Sequence, residues 1–100
     1  MAEETQCTAI VAYEVTAEDR DKFLNAWKKA DDYLRQQPGY ISSSLHEAAS
    51  ANPDFRFVNV GCWGSADDFR NATQSSGFRE ASGSLEAYPI HAAAYEVVEI

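Results

Sequence analysis

Apolar residues in this chain follow two rhythms. From Cys7 to Val15 (Cys-Thr-Ala-Ile-Val-Ala-Tyr-Glu-Val) and from Phe55 to Trp63 (Phe-Arg-Phe-Val-Asn-Val-Gly-Cys-Trp) they run almost unbroken and are rich in β-branched and aromatic types, which predicts strands. Strand alternation puts Phe55, Phe57, Asn59, Gly61 and Trp63 on one face of the second run and Arg56, Val58, Val60 and Cys62 on the other. Both faces are largely apolar, so this strand belongs in the middle of a sheet and needs a covering layer on each side. Asn59 is the polar exception among three aromatics. An unpaired buried amide costs about 1–3 kcal/mol, so its partners are backbone groups or a ligand.

Between the two runs the period changes. Phe23, Trp27, Ala30 and Leu34 recur at the spacing of one helix face. Thr16-Ala17-Glu18-Asp19 reads as a capping-box-like start whose Thr hydroxyl accepts an orphan N–H, and Pro38-Gly39 ends the helix. Asp21, Lys22, Lys28, Lys29, Asp32 and Arg35 lie mainly off the stripe. The acidic groups Glu18, Asp19, Asp21 and Asp31, Asp32 are expected to form a solvated helix face and cap. Tyr40 to Glu47 is a more polar strand nearer an edge, and the turn residues Ala51-Asn52-Pro53-Asp54 join it to the Phe55 strand as a hairpin. A second capping signal, Ser65-Ala66-Asp67-Asp68, opens a short amphipathic helix through Phe69 and Ala72. That helix is interrupted at Ser75-Ser76-Gly77 and followed by a weaker face through Phe78, Ala81 and Leu85. Ile90 to Ile100 is predicted as a long terminal strand.

The order β-α-β-β-α-β predicts an α+β, ferredoxin-like fold: a four-stranded antiparallel sheet with the helices on one face. The opposite face is left bare and apolar, which predicts a homodimer packed sheet against sheet, a dimeric α/β barrel. One hundred residues suit a single domain over 1–100. A formal net charge of −8 opposes binding to phosphate backbones or anionic lipid, so neither nucleic acid nor a membrane is an expected partner. Met1-Ala2-Glu3-Glu4 is acidic, and no apolar run approaches the ~20 residues of a membrane span, so a cytoplasmic protein is expected. Cys7 and Cys62 fit no metal or disulfide framework and are expected to be buried thiols. Signatures such as G-x-S-x-G, H-E-x-x-H or a phosphate-cradling glycine loop are absent, and His46 and His91 are the only histidines.

Pro38-Gly39-Tyr40, then Phe57-x-x-Val60-x-x-Trp63-x-Ser65-x-x-x-Phe69, then Ser76-x-Phe78 and a terminal Tyr95-Glu96-Val97 resemble the antibiotic biosynthesis monooxygenase domain family, over about residues 8 to 100. In the cofactor-independent, quinone-forming branch of that family an Asn and a Trp four residues apart, a helix Tyr and a later Arg line the substrate pocket. Asn59 and Trp63 match the first two, Arg79 the last, and Phe69 stands at the Tyr position without its hydroxyl. The resemblance implies oxidation of a small aromatic or polyketide-like phenol to a quinone by O₂, with no cofactor and no metal. Asn59, Trp63 and Arg79 would be catalytic, and Phe57, Phe69, Phe78, Trp27 and His46 would bind substrate. His46 or His91 is a further candidate proton acceptor. A haem-degrading branch uses a first-strand Asn and a His ligand; this first strand has no Asn, and the His position corresponds to Ser82. The remaining alternative is a non-catalytic dimeric module that binds a small ligand.

Overall fold

The structure, a computed structural model, describes residues 6–100, so the acidic Met1-Ala2-Glu3-Glu4 stretch lies outside the described residues. Strand β1 (Cys7–Tyr13) leads through a 3-10 turn (Ala17–Asp19) into helix α1 (Arg20–Leu34). Strands β2 (Tyr40–Glu47) and β3 (Phe57–Trp63) form the predicted hairpin. Helices α2 (Ala66–Thr73) and α3 (Ser76–Ala81) and a second 3-10 turn (Gly83–Ala87) return the chain to strand β4 (Ile90–Tyr95). The sheet order is β2-β3-β1-β4 with every pairing antiparallel, which is the predicted ferredoxin-like α+β arrangement with the helices on one face.

Register decides which side chains meet the helices. Tyr13 pairs with Phe57, Val11 with Asn59, Ala9 with Gly61 and Cys7 with Trp63, and this row faces the helical layer. Phe23 of α1, with no exposed surface, is the hub of the larger core. It stacks on Phe57 at 4.6 Å between ring centroids and takes the edges of Tyr13 at 4.9 Å and Tyr88 at 5.3 Å. A smaller core gathers Ala9, Trp63 and Ala72, with Leu34, Tyr40 and Phe69 packed against it. The cavity described below lies between the two.

Several boundaries differ from expectation, each for a local reason. β3 begins at Phe57 rather than Phe55. Its two preceding residues are engaged elsewhere: the Arg56 carbonyl accepts from Ala48 N–H at 2.8 Å, its Nε donates to the Val15 carbonyl at 3.1 Å, and the Phe55 ring meets His91 edge-on at 5.0 Å. β1 stops at Tyr13 because Glu14 N–H turns to the Pro89 carbonyl at 3.0 Å. β4 stops at Tyr95, opposite Thr8, and does not continue to Ile100; Val97 and Val98 stand 87% and 77% exposed. Thr16 does not cap through its hydroxyl. Its carbonyl accepts Asp19 N–H at 3.1 Å, forming a 3-10 turn, and α1 starts three residues later than the capping pattern suggests. Cys7 is buried as expected, and its thiol is pushed up by that burial, whereas Cys62 is half-buried on the other face of the sheet.

Candidate functional site

Between α1, α2–α3 and the helix-facing side of the sheet lies a cavity of about 300 Å³. Its walls are mostly apolar: Trp27, Ala30 and Leu34 from α1, Ala9, Val11 and Tyr13 from β1, Trp63 from β3, and Phe69 and Phe78 from the short helices. Exposed Ile90 and Ala92 on the edge strand β4 mark its mouth. A second, more open hollow of about 350 Å³ shares Tyr13, Thr73, Phe78, Leu85 and Ile90 with the first and carries Arg79, Ser82 and Glu86 on its wall.

The α1 wall follows from the helical stripe, and the floor follows from strand alternation. Asn59, Gly61 and Trp63 are successive residues on the inner face of β3. Gly61 leaves open the space between the other two. A Cβ there would stand 3.4 Å from the Ser42 carbonyl, 3.7 Å from Trp63 Nε1 and 3.8 Å from Asn59 Nδ2, so the two N–H donors flank a position without a side chain. Trp63 is held in place by Tyr40 and Phe69, whose rings meet it edge-on at 5.5 Å and 5.8 Å. Asn59 Oδ1 is buried with no donor among the described residues.

One side chain departs from the expectation of a solvated acidic face. Asp31 is buried and lines the cavity. Its Oδ2 accepts Arg35 Nε at 2.6 Å, and its Oδ1 accepts Ser43 Oγ at 2.8 Å. Because Ser43 gives its only hydrogen to Asp31, Tyr40 Oη must be the donor in the 3.0 Å contact with Ser43 Oγ. Tyr40, Ser43 and Asp31 thus form one directed chain along the cavity wall. A signal was present in the spacing, since Asp31 falls four residues after Trp27 and three before Leu34, on the stripe itself. Tyr13, another wall residue, has its phenol pushed up to about 12, first by burial and then by the negative charge of Asp31.

The other predicted site residues divide. Asn59, Trp63, Phe69, Phe78 and Trp27 share the inner cavity. Arg79 stands on the outer hollow, and Phe57 is sequestered in the core against Phe23. His46 lies on the opposite face of the sheet, paired with Val58, and its Nδ1 is 3.0 Å from the Ser44 carbonyl. His91 shares that outer face, paired with Ala12, with its Nε2 3.2 Å from Glu14 Oε2. Neither imidazole reaches the cavity. Among the described residues no group of three or more His, Cys, Asp or Glu side chains is placed to hold a metal ion.

A ferredoxin-like sheet with an aromatic cavity under its helical layer defines a class of small α+β proteins. The chain belongs to the antibiotic biosynthesis monooxygenase family, whose model matches residues 7–83. A candidate monooxygenase of Shewanella loihica PV-4 is 29% identical, with a TM-score of 0.84 over 99% of this chain and all of that one. A variant of SnoaB of Streptomyces nogalater, a cofactor-independent oxygenase, shares the fold at 19% identity, with a TM-score of 0.79 over 99% of this chain and 97% of that one. A dimeric ferredoxin-like protein of unknown function from Bacteroides fragilis NCTC 9343 does so at 14% identity, with a TM-score of 0.75 over 96% of this chain and all of that one. A comparison with curated proteins gave no match.

Proposed function

We propose that this protein is a cofactor-independent monooxygenase that oxidises a small aromatic phenol to a quinone with O₂. The observation that carries the reading is the aromatic-walled cavity lined by Trp63 and Asn59, whose Nε1 and Nδ2 flank Gly61. Family membership and the likeness to SnoaB support it. The overall change balances: a phenol with an open ring position and one O₂ give a quinone and one water, four electrons passing from substrate to oxygen. A neutral phenol reacts slowly with triplet O₂, but its anion is electron-rich enough to surrender an electron. The protein's tasks are to favour that anion, hold it beside O₂ and keep water out.

In this reading the N–H groups of Trp63 and Asn59 stabilise a developing oxyanion, and the surrounding rings exclude water and stack on the substrate. Arg79, on the adjoining hollow, supplies a positive charge at the outer end of the substrate. Phe69 brings no hydroxyl to the wall, so no tyrosine at that place takes part. A haem reading draws no support from the cavity, because both histidines lie on the far side of the sheet. The outer sheet face is the surface of a homodimer in this reading. It presents Ile10, Val58, Val60 and Tyr95, with exposed Val97, Val98 and Ile100 beyond β4.

O₂ uptake by the metal-stripped protein against hydroxynaphthalenes and anthrones tests the reaction. Asn59→Ala and Arg79→Ala are each expected to lower turnover at least tenfold, about 1.4 kcal/mol of barrier. Absence of uptake across the panel, or unchanged rates in both variants, overturns the assignment.

A further inference from the structure

Asp31 is the one charged side chain among the described residues that line the inner cavity. Its side chain is 8% exposed, while Arg35, which donates to Oδ2, is 53% exposed and is not part of the cavity wall. The pair therefore presents its negative end inward. Each carboxylate oxygen has two acceptor sites, and Ser43 and Arg35 fill one apiece, so acceptor capacity remains on both. Asp31 thus leaves on the cavity wall acceptor capacity that a neutral ligand hydroxyl can fill. Burial first and the Asp31 charge second keep the Tyr13 phenol on this cavity protonated well above its ordinary range. A ligand hydroxyl beside Asp31 stays protonated for the same reason, and a ligand carboxylate meets that charge with no hydrogen to offer.

We infer that Asp31 determines the specificity of the inner cavity, accepting a hydrogen bond from a neutral hydroxyl on an aromatic ligand and discriminating against aromatic carboxylates and aryl methyl ethers. The inference rests on the proposed reading of the cavity as an aromatic substrate site, and it narrows the substrate class. The substrate carries two oxygen functions, one hydroxyl held protonated at Asp31 and a second oxygen that ionises beside the Trp63 and Asn59 N–H groups. Asp31 takes up no proton in this arrangement. It orients the ring by one charge-assisted hydrogen bond, and a site built for such a bond rejects analogues that cannot make it.

Calorimetric titration of the full-length protein under anaerobic conditions with 1-naphthol, 1-methoxynaphthalene and 1-naphthoate tests this apart from turnover. The wild type is expected to bind 1-naphthol at least tenfold more tightly than either analogue. Asp31→Asn, with its fold checked by near-ultraviolet circular dichroism, is expected to narrow the preference for 1-naphthol over 1-naphthoate at least tenfold. The wild-type ratios stand whether or not the variant folds. Equal binding of the three compounds, tighter binding of 1-naphthoate, no binding of 1-naphthol, or a folded Asp31→Asn variant with an unchanged preference would each overturn the inference. Selective binding of 1-naphthol without O₂ uptake by any phenol supports the role of Asp31 while removing the oxygenase reading.

Discussion

At the residue scale, environment rather than residue type sets the chemistry of the cavity wall. Tyr13 and Asp31 line one cavity, and the burial of the first and the charge of the second keep the phenol neutral. The linkage has a definite sign. Unfolded, Tyr13 ionises near its ordinary value of 10; folded, it does so near 12. The resulting stability is whole below pH 10 and is lost as pH rises through 12, because between those values the folded state keeps a proton that the unfolded state has released. Urea unfolding at successive alkaline pH values should therefore show a fall of about 2–3 kcal/mol over this window that is missing in Tyr13→Phe. Equal alkaline slopes in the two proteins would show that Tyr13 is not the group responsible. Asn59 and Trp63 were legible as a pair because strand alternation places residues four apart on one face. Asp31 was legible in position, on the α1 stripe, but not in role: a lone carboxylate on an apolar stripe becomes a cavity group only when β2 brings Ser43 within 2.8 Å.

At the element scale, the short helices that roof the cavity depend on two serine caps. Ser65 Oγ accepts Asp68 N–H at 3.1 Å to open α2. Ser75 does more. It accepts Phe78 N–H at 3.1 Å, donates to the Ala72 carbonyl at 2.8 Å and accepts Tyr33 Oη at 2.8 Å, tying α1, α2 and α3 to one oxygen. Gly77 allows this approach, since a Cβ there would stand 2.5 Å from Tyr33 Oη. Ser65→Ala should cost about 1 kcal/mol of unfolding free energy, and Ser75→Ala about 2, because the latter also strands a half-buried tyrosine hydroxyl. Equal losses in chemical denaturation would mean that the bond between Tyr33 and Ser75 contributes nothing. The sequence marked Ser65 by its capping pattern and the interruption at Ser75-Ser76-Gly77, but the partner 42 residues away was not visible in local spacing. The β4 boundary was missed for a related reason. Val97, Val98 and Ile100 have strand-like composition, yet a strand exists only where a neighbour supplies its ladder, and the β1 ladder to β4 ends at Thr8 opposite Tyr95.

At the scale of the whole molecule, one sheet face is roofed by helices and the other is not. Val60, paired with Ile10 and Ser44 near the middle of the open face, is 37% exposed. Sedimentation at micromolar concentration should give a dimer, and Val60→Lys should shift it to monomer by placing a charge where two sheets would meet. A monomeric wild type would refute the packing argument. No helix among the described residues is long and apolar enough to cross a membrane. The chain's own pattern determined the element order, the central place of β3 and the inward row from Phe57 to Trp63, because backbone period and hydrophobic burial act over a few residues and leave their mark in local spacing. Tertiary structure alone decided that Arg79 faces the outer hollow, that both histidines lie beyond the sheet, and that Asp31 is a cavity carboxylate. Those outcomes depend on strand register and on contacts between distant elements, which local spacing does not encode.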